Sequence, residues 1–183
     1  MFSYDLKDLS VLVVEDVDHF RELITTILKT LEIENVFEAR DGLEAMEVIK
    51  GSPLDFIFMD WKMSGMDGIE CVRMIRKGHG LSGPYVPVIM ITGHAEDEFL
   101  RQAKDAGVNE VLIKPISARS LLSCFIRVLE RKNVFVNSEA YFGPDRRNVN
   151  LPQEQQEERR TAQRFLELPE GDARAKISDG SAD

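Results

Sequence analysis

Residues 54–60 read LDFIFMD, a strand-like stretch whose apolar run, 56–59 after Asp55, stops on a carboxylate, Asp60. A strand covered on both faces is apolar throughout, and one that ends on a charged side chain puts that charge at the rim of its sheet. Working outward, the same design recurs. Val11-Leu12-Val13-Val14 breaks off at Glu15-Asp16, residues 86–91 end on Thr92, and residues 110–113 end on Lys114-Pro115. Helix-period segments lie between these runs. Phe20, Leu23, Ile24, Ile27, Leu28 and Leu31 form one apolar stripe, with Asp18 as the expected N-cap. After a short strand at 35–39, Leu43, Met46 and Ile49 face inward from a helix over 42–50. Ile69, Val72 and Ile75 mark a third helix, reached through the loop 64–68. Residues 95–106 are helical but poor in apolar side chains. Leu121, Leu122, Phe125, Val128 and Leu129 mark a fifth helix, capped by Ser117. Five strands alternating with five helices predict an α/β fold, a (βα)5 doubly wound parallel five-stranded sheet. Pattern alone leaves the strand order open.

In such folds the site lies outside the carboxyl ends of the strands. The residues just past the strands are Glu15 and Asp16, Asp60, Thr92, and Lys114. Each has an ordinary reading when taken singly: a solvated strand end, a turn cap, a β-branched strand residue, a turn lysine. Together they place three carboxylates, a hydroxyl and an ammonium at one end of one sheet. Clustered carboxylates repel unless a cation neutralises them, and oxygen ligands suit magnesium, which completes its shell with waters and phosphate oxygens. A carboxylate can also act as a nucleophile and form an acyl phosphate. Thr92 can then donate a hydrogen bond to a phosphoryl oxygen, and Lys114 can pair with another.

Residues 9–130 resemble the receiver domain of two-component response regulators. The matching elements are VLVVEDVDHFR, FIFMDWKMSGMDG, VIMITGH and VLIKP, in order and each ending a strand. The resemblance implies a flavodoxin-like, CheY-like fold over residues 1–132. It implies that Asp60 is the phosphoacceptor. Glu15, Asp16 and Asp60 would bind Mg2+ (or Mn2+) through side chains, and Lys62 through its backbone carbonyl. Thr92 and Lys114 would bind the phosphoryl group, and Lys114–Pro115 would be cis. The expected partner is a sensor histidine kinase or phosphotransfer protein. The protein would be a phosphoacceptor with self-catalysed transfer and autodephosphorylation, not a turnover enzyme. Lys62 and His94, two residues after Asp60 and Thr92, are expected to set how fast water attacks the acyl phosphate. Two positions depart from the family: Ser64 replaces a usual proline, and Val111 replaces a usual switch aromatic. Trp61 is expected at the rim of the site.

Composition shifts after residue 132. Residues 133–183 read as a C-terminal tail, extended near 133–141, with a turn signal at Gly143-Pro144, a marginal helix at 153–168 and a disordered end. Phe135, Tyr141 and Phe142 are expected to dock as anchors, on the same receiver or across a homodimer. The tail is too short and polar for a DNA-binding output domain.

The net charge of −9 argues against nucleic acid and anionic lipid as partners. No apolar run reaches the ~20 residues that span a bilayer, and the N-terminus lacks a signal-peptide pattern, so a cytoplasmic location is expected. Cys71 and Cys124 form no metal or disulfide pattern. Three other functions compete with the phosphorylation switch. A transcription regulator lacks its output domain here. A haloacid-dehalogenase-like phosphatase would need an aspartate where Lys62 stands. A phosphorylation-independent scaffold would not need the intact acidic pair, Asp60, Thr92 and Lys114.

Overall fold

The computed structural model describes residues 6–93, 96–130, 135–138 and 141–144. The elements run β1 (Ser10–Val14), α1 (Asp18–Thr30), β2 (Asn35–Ala39), α2 (Gly42–Gly51), β3 (Phe56–Asp60), α3 (Gly68–Arg76), β4 (Val88–Thr92), α4 (Asp97–Ala106), β5 (Glu110–Ile113), α5 (Ala118–Glu130), β6 (Phe135–Ser138) and β7 (Tyr141–Pro144). The first five strands form one parallel sheet in the order β2-β1-β3-β4-β5. This is the doubly wound (βα)5 architecture that the alternation of elements predicts.

Strand side chains alternate between faces, and the two cores follow that parity. Leu12, Val14, Ile57, Met59, Val88 and Met90 meet α2, α3 and α4 on one face. Val11, Val13, Phe56, Phe58, Ile89 and Ile91 meet α1 and α5 on the other. Phe125 of α5 packs edge-on against Phe56 at 4.7 Å and lies 5.9 Å from Phe58. Apart from their end residues Ser10, Asp60 and Thr92, the central strands β1, β3 and β4 are therefore apolar, because both faces are covered.

Several local details differ from expectation. Val17, not Asp18, is the N-cap of α1, and Asp18 instead pairs with Arg21 one turn on. Leu43 is 62% exposed rather than inward, because Gly42, Ala45, Met46 and Ile49 carry the buried face of α2. β4 starts at Val88 rather than Val86, just after Pro87, which has no N–H for a ladder. Ser117 does cap α5, accepting from the Ser120 N–H at 3.1 Å. Cys71 and Cys124 are buried and unbridged. Burial pushes the Cys71 thiol up to about 12. Both thiols are expected to react with an aromatic disulfide reagent only on unfolding; prompt reaction of the native protein would contradict this packing.

β6 and β7 form an antiparallel hairpin, with Val136 opposite Gly143 and Asn137 opposite Phe142. Gly143 and Pro144 thus lie in a strand rather than a turn. The hairpin belongs to the compact unit that runs to Asp145. Tyr85 meets Phe135 at 5.2 Å and Phe142 at 5.4 Å, both edge-on. Arg76 lies beneath, its guanidinium 5.1 Å from the Phe135 ring. Burial lowers Arg76 to about 10, still charged near neutrality. Four acceptors hold that buried cation: the carbonyls of Gly107, Pro84 and Val86 and the Asn109 side chain, at 2.8–3.0 Å. The expected docking of Phe135 and Phe142 therefore falls on the same chain. Phe135→Ala removes ring contacts worth about 0.5–1.5 kcal/mol each and a cation–π contact of about 0.5–1 kcal/mol. It is expected to lower Tm in a thermal melt; an unchanged Tm would mean the hairpin adds nothing to the fold. The expected helix at 153–168 and the expected disordered end lie outside the described residues.

Candidate functional site

The carboxyl ends of the strands gather the residues that the sequence singles out. Glu15 follows β1, Asp60 and Thr92 close β3 and β4, and Lys114 follows β5. Strand parity explains which of them meet. Glu15, Asp60 and Lys114 each stand two residues after Val13, Phe58 and Leu112, which all face the α1/α5 side. Backbone bonds extend the sheet pairing just past the strands, from Glu15 N–H to the Ala39 carbonyl at 3.1 Å and from Trp61 N–H to the Ile91 carbonyl at 2.9 Å.

The Lys114 ammonium bridges the two buried carboxylates. It lies 2.9 Å from Glu15 Oε2 and 3.2 Å from Asp60 Oδ1. Its other side faces the Phe20 ring, 4.7 Å from the centroid. Glu15 is 0% and Asp60 6% exposed, whereas Asp16 is open to solvent. One oxygen from each of Glu15, Asp16 and Asp60 fits within 4.8 Å of the others. Burial raises the carboxyls of Glu15 and Asp60, and Lys114 offsets that only in part. Burial by itself would lower Lys114, but its contacts with Glu15 and Asp60 outweigh that and hold its proton more tightly. Two buried anions sharing one cation, with a third carboxylate at the solvent edge, form an oxygen-rich socket for a hard divalent cation.

Thr92 is 1% exposed at the end of β4, and its carbonyl accepts from the Lys114 N–H at 2.7 Å. The Lys114–Pro115 bond is cis, as the resemblance implies. The Lys62 side chain is exposed, its ammonium 5.8 Å from the Phe99 ring. Trp61 is not at the rim. It is 5% exposed and belongs to the core on the α2–α4 side, meeting Phe99 edge-on at 4.7 Å. Val111 packs half-buried against that same core and brings no ring to it. His94 lies outside the described residues.

Sequence reasoning missed three supports. Arg21 is buried on α1, and its guanidinium donates to the Glu15 carbonyl at 2.8 Å and to Glu38 at 3.3 Å, and pairs with Asp18. It thereby fixes the backbone that carries Glu15. Its signal was present: Arg21 stands three and seven residues before Ile24 and Leu28, on the buried stripe. Gly68 lets the loop after Asp60 close, because a Cβ there would stand 2.2 Å from the Asp60 carbonyl oxygen. The Gly68 N–H donates to the Trp61 carbonyl at 2.9 Å, and Asp67 caps α3 by accepting from Glu70 N–H. Phe20 counts among the stripe residues, and nothing in its spacing reveals the lysine it meets.

The comparisons with known proteins agree with this geometry. Residues 11–125 match the family model of the response regulator receiver domain. The chemotaxis protein CheY-3 of Vibrio cholerae is 36% identical over 125 residues, covering 68% of this chain and 95% of that protein. The receiver domain of a Pseudomonas aeruginosa sensor histidine kinase, solved with a magnesium ion coordinated in its active-site cleft, superposes with a TM-score of 0.60 at 28% identity; the match covers 66% of this chain and 97% of that one. The receiver domain of the Arabidopsis thaliana histidine kinase CKI1, solved with Mg2+ and BeF3−, gives a TM-score of 0.60 at 29% identity, over 68% of this chain and 91% of that one. With its (βα)5 sheet and this acidic socket, the chain belongs to the CheY-like receiver family of two-component response regulators.

Proposed function

We propose that the protein is a phosphorylation-dependent signalling switch, which accepts a phosphoryl group on Asp60 from a histidine kinase or phosphotransfer protein. One observation carries this reading: Asp60 ends a central strand with the Glu15 and Asp16 carboxylates beside it and the Lys114 ammonium on its oxygen. An Asp60 carboxylate oxygen attacks phosphorus, the bond from phosphorus to the donor nitrogen breaks, and its electron pair leaves with the donor. An acyl phosphate remains on Asp60 until water cleaves it or an acceptor takes the group onward. Lys114 offsets phosphoryl charge, and the Thr92 hydroxyl at the end of the neighbouring strand donates to a phosphoryl oxygen.

The donor set fits Mg2+ or Mn2+, held by Glu15, Asp16 and Asp60 side chains and the Lys62 carbonyl. When bound, the cation supplies positive charge against the phosphoryl oxygens and the carboxylates. Output is by contact with a protein partner or by relay of the phosphoryl group, and the chain is a phosphoacceptor rather than a turnover enzyme.

Trp61, the sole tryptophan and the neighbour of Asp60, reports the test. Its fluorescence is expected to saturate with magnesium and to change again with beryllofluoride, the second change being absent in Asp60→Asn. An identical second change in that variant would reject Asp60 as the acceptor. Lys62→Ala is expected to alter the half-life of the acyl phosphate severalfold in a dephosphorylation time course. An unchanged half-life would remove the Lys62 side chain from control of hydrolysis.

A further inference from the structure

Helix α4 packs along α3 and touches β7. Only Ala103 and Ala106 of its residues are buried, so small side chains set its seat on the sheet. Phe99 in its first turn meets Trp61 edge-on at 4.7 Å and 86°, with the Lys62 ammonium 5.8 Å from the same ring. Trp61 and Lys62 are the two residues that follow Asp60. At the other end Gly107 caps the helix at φ 94°. A Cβ on Gly107 would stand 3.0 Å from the Phe142 carbonyl oxygen, and one on Gly143 would stand 2.9 Å from Gly107 Cα. The hairpin backbone therefore rests directly on the end of α4. A ten-residue helix is a stiff rod about 15 Å long. Beneath it Val111 offers no aromatic side chain to swing.

We propose that Phe99 is a positioning residue for the phosphoacceptor segment, and that through α4 it couples phosphorylation of Asp60 to docking of the β6–β7 hairpin. This rests on the reading of Asp60 as phosphoacceptor. The direction follows from charge. A phosphoryl group on Asp60 draws the Lys62 ammonium away from the Phe99 ring. The first turn of α4 loses that contact, its grip on Trp61 loosens, and the hairpin at the far end opens more readily. Coupling between binding events is reciprocal, so an undocked hairpin makes the phosphoryl mimic bind more tightly by the same factor.

The test is hydrogen exchange on the full chain with magnesium, with and without beryllofluoride, while Trp61 fluorescence reports mimic binding. Amides of β6 and β7 are expected to exchange about fivefold faster with the mimic bound, at the lower end of ordinary coupling. Phe99→Leu is expected to bind the mimic with no change in hairpin exchange, and Phe99→Tyr to restore the effect. Phe135→Ala, which weakens docking, is expected to tighten mimic affinity by at most the factor seen in exchange. Should Phe99→Leu fail to fold, Phe99→Met, which keeps the volume and removes the ring, carries the same expectation. A bound mimic with unchanged or slower hairpin exchange overturns the coupling alone. A mimic that leaves Trp61 and Tm unmoved in the parent protein overturns the Asp60 reading and the coupling with it.

Discussion

Asp60→Asn is expected to abolish phosphorylation and, without divalent cations, to make the protein more stable than its parent. The first effect follows because an amide oxygen is too weak a nucleophile to form the acyl phosphate. The second follows from the site's electrostatics. Burial raises the Asp60 carboxyl, and Lys114 does not fully cancel that. A carboxyl raised on folding favours the native state while protonated, and that contribution is lost as pH climbs through its folded value. The stability gap between variant and parent is therefore expected to be small below the ordinary carboxylate range and to widen as pH rises through and above it. Magnesium, which binds the parent's three carboxylates, is expected to narrow the gap. Chemical denaturation at several pH values, with and without the metal, reads all of this. A variant less stable than the parent at neutral pH would mean that the Lys114–Asp60 pair outweighs burial.

Lys114→Met is expected to have the second large effect, on both rate and stability. The ammonium touches Glu15, which is fully buried, and Asp60, which is nearly so. Removing one partner of a buried ion pair costs roughly 3–5 kcal/mol, because the other charge stays buried and unpaired. The Phe20 ring cannot replace it. Glu15 is raised by burial already, and losing its hydrogen bond to Lys114 raises it further. The penalty is accordingly expected above the carboxylate range and expected to fade on acidification, as Glu15 and Asp60 take up protons. Added magnesium is expected to recover part of the lost stability. Phosphorylation is expected to slow by about 10²-fold, the lower end for losing one charge-stabilising donor. A pH-independent loss of stability would point to packing rather than charge.

The strand ends were readable because chemistry and period coincide there. LDFIFMD, VLVVED and VLIKP each show an apolar run cut off by a charge, and a parallel sheet brings such ends together. The strand order was not readable, since pairing depends on contacts between runs that look alike in pattern. Asp18 was misassigned because an acidic residue at a helix start serves equally as cap or as ion-pair partner, and Arg21 took it. Leu43 was placed inward because three apolar residues at helical spacing fit two faces, and Gly42 and Ala45 took the inner one. The place of Trp61 depended on Phe99, and no spacing rule links a residue after β3 to the first turn of α4. The hairpin is not legible in the sequence because Gly143-Pro144 reads locally as a turn. It lies in a strand where Tyr85 and Arg76 supply packing from far away in sequence.

The measurement that bears most directly on the central claim is the intact mass of the protein after incubation with acetyl phosphate and magnesium, followed by peptide mapping of the modified site. The expected result is a gain of one phosphoryl group that maps to Asp60, requires the divalent cation and is absent from Asp60→Asn. A gain that survives in that variant, or no gain in the parent protein under conditions where magnesium measurably binds, would contradict the assignment of Asp60 as the phosphoacceptor.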